Sequence, residues 1–162
     1  MCHYCGCREM PLLRDFVAEH ERVVNLAGDA VRALDRQELD RARELLGAMA
    51  TELGSHWRGE EDGLFAAMGQ DELYAQHIAP LVREHRELAS LLASVELADP
   101  RDQERVRAAV DELHRHIAKE EDGLFPASLT ALSGDEWDAA MAAWQQAHPD
   151  RHLIADAHHR DT

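Results

Sequence analysis

The sequence predicts an all-α protein: an antiparallel up-down four-helix bundle of two αα-hairpin repeats plus a short C-terminal fifth helix. Three observations carry that expectation. Strong helix formers (Ala, Leu, Glu, Arg) dominate the chain, and no alternation of Val, Ile and Thr marks a strand. Apolar residues recur at three- and four-residue steps through four long stretches with short connections, the pattern of helices packed on antiparallel neighbours. A block in the second stretch also returns, sixty residues on, in the fourth.

The first helix is expected from about Pro11 to Leu34, with Leu13, Phe16, His20, Val23, Ala27 and Leu34 on its apolar face. The second is expected from about Asp40 to Met68, stopping near Gly69, and the third from about Asp71 to Leu97, on Ile78, Leu81, His85, Leu88 and Leu92. Asp99 followed by Pro100 is a helix start, a side-chain cap and then proline at the first helical position. The fourth helix carries Val106, Val110, Leu113, His116 and Ile117 and reaches Phe125, where Pro126 is expected to kink or end it. Ser133 and Glu136 form a capping box for a fifth helix with Trp137, Ala140, Met141 and Trp144 on one face, expected to dock on the bundle. The expected organisation is a Cys-rich segment over 1–10, the bundle over 11–131, an accessory helix over 132–147 and a His-rich flexible tail over 148–162.

A chain of 162 residues fits one domain with a core large enough to fold without disulfides or a structural metal. Its 17 basic and 32 acidic residues leave a net charge of −15, which argues against nucleic acid and anionic membrane as partners, since both need basic patches. No apolar run approaches a membrane span and no apolar leader precedes the first helix, so a soluble cytoplasmic protein is expected. The number that needs a reason is eleven histidines, beside only three Phe, three Trp and two Tyr.

The repeat supplies one. His56-Trp-Arg-Gly-Glu60-Glu61-Asp62-Gly63-Leu64-Phe65 recurs as His116-Ile-Ala-Lys-Glu120-Glu121-Asp122-Gly123-Leu124-Phe125, identical at seven of ten positions. A weaker echo pairs Val17-Ala-Glu19-His20 with Val82-Arg-Glu84-His85 on the preceding helices. At ~100° per residue, Glu60 lies one turn above His56 on nearly the same face, whereas Glu61 is ~140° away and is expected to point elsewhere. The same holds for Glu120 and Glu121, so Glu61 and Glu121 are expected to be dispensable for metal loading. Two His-x-x-x-Glu pairs facing each other, plus His20 and His85, give four imidazoles and two carboxylates inside a bundle, a set that can hold two metal ions with each glutamate bridging both. One such pair is weak evidence, usually an exposed pair or a satisfied core histidine. Two matched pairs with partner histidines, all on apolar faces, are much stronger, because four buried unpaired imidazoles would be costly. Imidazole-plus-carboxylate sets suit iron, manganese and zinc alike. Gly63 and Gly123 each cost about 1 kcal/mol in a helix relative to Ala, and are expected to permit a close backbone approach or a local bulge. Leu64, Phe65, Leu124 and Phe125 are expected to form an apolar wall beside the site.

On His20, His56-x-x-x-Glu60, His85 and His116-x-x-x-Glu120, with the Leu-Phe-Pro that follows, residues 10 to 131 resemble the hemerythrin-like, or HHE cation-binding, family. The resemblance implies a four-helix bundle holding two iron ions, oxo- or hydroxo-bridged when oxidised, with His20, His56, His85 and His116 as terminal ligands and Glu60 and Glu120 bridging. It also implies binding or sensing of dioxygen, nitric oxide or hydrogen peroxide. A di-iron enzyme with catalase-like or nitric oxide reductase activity, and an iron-responsive interaction module, are the alternatives. The chain departs from the invertebrate oxygen carriers in two places. Leu81 stands where they have a second histidine one turn before the residue matching His85, and Glu120 stands where they have aspartate. His77, a further turn back, is a poor substitute. One fewer imidazole opens the coordination sphere, which disfavours pure oxygen storage.

The ends add two features. Cys2, Cys5 and Cys7, with His3, can form a second zinc or iron site or a thiol redox pair, or can belong to a reactive tail. His148, His152, His158 and His159 can bind metal weakly but are expected to be a solvated, mobile terminus. His114, two residues before His116, is expected to be exposed. A homodimer, or a partner protein held through the fifth helix and the termini, is the expected macromolecular association.

Overall fold

The computed structural model describes residues 6–153. Cys2, His3, Cys5, His158 and His159 lie outside the described residues. The described residues are helical, with no strand among them, and form a bundle of five helices. A short 3-10 turn, Cys7–Glu9, precedes α1 (Leu13–Asp35). Helix α2 runs through Leu39–Gly59, continues through one π-turn at Glu60–Leu64 and ends in Phe65–Met68. Helix α3 is Glu72–Ser94. Helix α4 is Pro100–Lys119 followed by a π-turn at Glu120–Leu124 and by Phe125–Ala131. Helix α5 is Gly134–Ala147. None of these helices is long and apolar enough to cross a membrane.

The start signals work as chemistry requires. Asp71, Asp99 and Ser133 each accept a hydrogen bond from a backbone N–H of the first turn, and Glu136 closes the capping box by accepting from the Ser133 N–H. Pro126 does not end α4. It sits in the first turn of the stretch after the π-turn, where a missing N–H costs least, and the helix runs on to Ala131.

Apolar side chains gather in two clusters. One holds Phe16, Leu64, Phe65, Ile78, Leu81, Leu124, Phe125 and Trp144. The other holds Val23, Ala27, Leu46, Leu53, Val106 and Leu113, with Leu88 and Leu92 against it. Along each long helix the chain passes from one cluster to the other, and the residue at the crossing is His20, His56, His85 or His116. A buried polar layer therefore separates the clusters, and every long helix contributes to it.

The two repeats differ in what covers them. A Cβ on Gly63 would lie 3.0 Å from the Ala140 carbonyl oxygen and 3.1 Å from the Ala143 side chain, so α5 seats on the first π-turn through glycine. One turn earlier, Gly59 lies under Trp144 and His148 in the same way. Gly123 faces nothing within 4 Å, and Lys119 replaces the equivalent of Gly59. Of the two uses expected of these glycines, a local bulge occurs at both and a close backbone approach at Gly63.

Candidate metal centre

Each π-turn begins at the glutamate that follows its histidine by one turn. Inside it the bond from the Phe65 N–H reaches the Glu60 carbonyl, five residues back, and that from Phe125 reaches Glu120. The extra residue re-aims the following side chains, a common use of π-bulges at functional sites.

His20, His56, His85, His116, Glu60 and Glu120 are all buried, with both glutamates fully so. Atoms of His20, His56, Glu60 and Glu120 lie within 4.8 Å of one another, and so do atoms of His85, His116 and Glu120. His56 Nε2 is 3.0 Å from Glu60 Oε1 and His85 Nε2 is 3.5 Å from Glu60 Oε2, so one oxygen faces each group. Glu120 Oε1 is 3.3 Å from His20 Nε2 and 3.2 Å from His116 Nε2. The Nε2 atoms of His85 and His116 are 3.0 Å apart. His77 and His114 are exposed and take no part.

Every inward histidine is held from behind by a carboxylate. His20 Nδ1 donates to Glu121 (2.9 Å), His56 Nδ1 to Glu19 (3.0 Å), His85 Nδ1 to Glu61 (2.8 Å) and His116 Nδ1 to Glu84 (2.7 Å). A donating Nδ1 leaves the Nε2 lone pair of a neutral ring aimed at the centre, and outer partners of this kind fix the orientation of metal-binding histidines. Glu61 and Glu121 do point away from the histidine on their own helix, as expected, but the neighbouring helix places His85 and His20 in their path. The expectation that they stand apart from the site is therefore corrected. Glu19 and Glu84 went unrecognised too, although the Glu-His echo contains both.

The four residues of the expected apolar wall, Leu64, Phe65, Leu124 and Phe125, pack in one buried cluster. Phe125 stacks on His20 and Phe65 on His85, each with ring centroids 5.9 Å apart, and Trp57 lies over His85 at 4.8 Å. A cleft of about 400 Å³ reaches His85 and His116 between α3 and α4, lined also by Trp57, Leu88 and Leu113.

The test of fit is what the buried polar atoms lack. His20 Nε2 and all four carboxylate oxygens of Glu60 and Glu120 are buried without a hydrogen-bond partner among the described residues. Such groups are costly unless something bonds to them, and a cation at the centre would satisfy all of them together. Without one, protons take its place. Burial and the neighbouring Glu120 charge push the Glu60 carboxyl up to about 7. Burial also opposes charging of His116, but Glu120 and Glu84 outweigh it and raise that imidazole to about 9. Burial pushes His85 down to about 3.

At the ends, Arg8 in the N-terminal turn Cys7–Glu9 reaches Glu121 at 2.7 Å. His148, expected to be solvated, is buried (4 % exposed) against the back of the site. His152 is exposed.

The model of the hemerythrin HHE cation binding domain matches residues 12–128 of the chain. No curated protein and no solved structure matches it.

Proposed function

The chain belongs to the hemerythrin HHE cation-binding domain family, and from that premise we propose that it is a non-haem di-iron protein that binds or senses dioxygen, nitric oxide or hydrogen peroxide. The observation that carries the reading is the double arrangement of four histidines: each Nδ1 is held by its own carboxylate while each Nε2 faces Glu60 or Glu120. His20 and His56 would hold one metal and His85 and His116 the other, with Glu60 and Glu120 shared between the two. Iron bound there would supply ferrous–ferric electron transfer and an open position for a small ligand. The two-hairpin, up-down arrangement belongs to the same reading, supported by the way consecutive helices pass between the two apolar clusters in opposite order.

The chain's own residues set the terms for that ligand. Phe65, Phe125 and Trp57 shield the histidine rings from water, which lowers the local dielectric. The cleft between α3 and α4 reaches His85 and His116 and not His20 or His56. A small molecule would reach the centre from that side. Two ferrous ions and two glutamates leave a formal charge of +2, which favours anionic or reducible ligands. An enzymatic role, catalase-like or nitric oxide reductase, shares this geometry, and turnover separates it from binding.

The test is the ultraviolet–visible spectrum of the iron-loaded chain before and after nitric oxide or hydrogen peroxide. Ligand-dependent bands without sustained peroxide consumption support binding or sensing, and steady turnover supports the enzyme. A chain that takes up no iron under iron-replete expression sinks both.

A further inference from the structure

Of the four outer carboxylates, Glu121 is paired with Arg8 and Glu84 with Lys119 near the surface, and Glu61 is partly exposed. Glu19 is different. It is fully buried, and besides His56 its partners come from the stretch that follows the segment the family model covers. His148, one residue past α5, touches Glu19 Oε1 through Nε2, while its Nδ1 donates to the Trp144 carbonyl at 2.8 Å. Its ring stacks on Trp144, centroids 4.1 Å apart and 14° from parallel. Trp144 Nε1 also lies 3.4 Å from Glu19 Oε2, the oxygen that holds His56. Gly59 and Gly63 leave room for this packing, and among the described residues nothing covers Gly123 of the second repeat in the same way.

We propose that His148 is a positioning residue for the metal centre: through Glu19 it fixes His56, so that docking of α5 and occupancy of the His20–His56 half of the site depend on each other. The inference rests on the di-metal reading above. A carboxylate buried with one oxygen unpaired would turn toward whatever donor remained, and the ring it orients would turn with it. By linkage, whatever α5 docking does for metal affinity, metal binding must do for α5 docking.

The full chain as wild type, His148→Phe and His148→Gln is loaded with cobalt(II), a spectroscopic probe ion, and challenged with excess chelator. Phenylalanine keeps a ring to stack on Trp144 but offers no donor; glutamine restores an N–H near the Nε2 position. The expected result is that His148→Phe releases one of its two cobalt ions about 10-fold faster, with altered ligand-field bands, while His148→Gln stays close to wild type. Cobalt should also slow amide exchange in Gly134–Ala147 of the wild type and not of His148→Phe. Equal loss from both variants would assign the effect to packing and overturn the proposal, as would a His148→Phe chain that keeps both ions at the wild-type rate and spectrum. A wild type that takes up no cobalt overturns the di-metal reading along with it.

Discussion

Glu61 and Glu121 show where helical geometry stops being sufficient at the scale of a residue. Spacing along one helix separates a carboxylate that shares a face with His56 from one that does not, and it selected Glu60 and Glu120 from the chain alone. What lies opposite the other face is set by the neighbouring helix, which no intrahelical angle reports. Two predictions belong to this scale, the first from the four outer bonds, 2.7 to 3.0 Å long. Glu61→Gln and Glu121→Gln, each alone, should weaken metal affinity by ~10–100-fold in competition with a chelator, against the dispensability expected from the sequence. Unchanged affinity in both would remove the orienting role. The second concerns protons. Glu60, raised from 4.5 to about 7, and His116, raised from 6.5 to about 9, both bind protons more tightly folded than unfolded. Their contribution to the metal-free chain is therefore full at low pH and is lost as pH rises, from 4.5 to 7 for Glu60 and from 6.5 to 9 for His116. Metal must displace those protons, so metal affinity should rise across the same range, measured as proton release on uptake in buffers of different pH.

Elements were legible in proportion to how local their causes are. Asp99-Pro100 and the Ser133–Glu136 box act within one turn, and the helices they open begin where the sequence places them. The π-turns were legible only as two misplaced glycines, because a register change in the hydrogen-bond ladder leaves no periodic trace. Their asymmetry was not legible, since α5 covers one and not the other. Gly63→Ala should therefore destabilise the chain by about 1–3 kcal/mol by crowding the Ala140 backbone. Gly123→Ala, facing open space, should be neutral or stabilising. Thermal denaturation of the two variants decides this, and equal effects would contradict the seating of α5 on Gly63.

At the scale of the whole molecule, the eight histidines among the described residues divide into distinct roles. Four line the polar layer between the two apolar clusters, His148 packs behind it, and His77, His114 and His152 are exposed. Unpaired polar atoms concentrated at that layer make the bundle least satisfied at its middle, so bound metal should stabilise the fold as a whole. Amide exchange should slow in all four long helices on loading, with protection confined to one hairpin as the contrary result. The central claim is most directly tested by counting iron in the purified chain beside Glu60→Gln/Glu120→Gln. Two irons per wild-type chain and loss of that stoichiometry in the double variant are expected; two irons retained without those carboxylates would contradict the bridging roles.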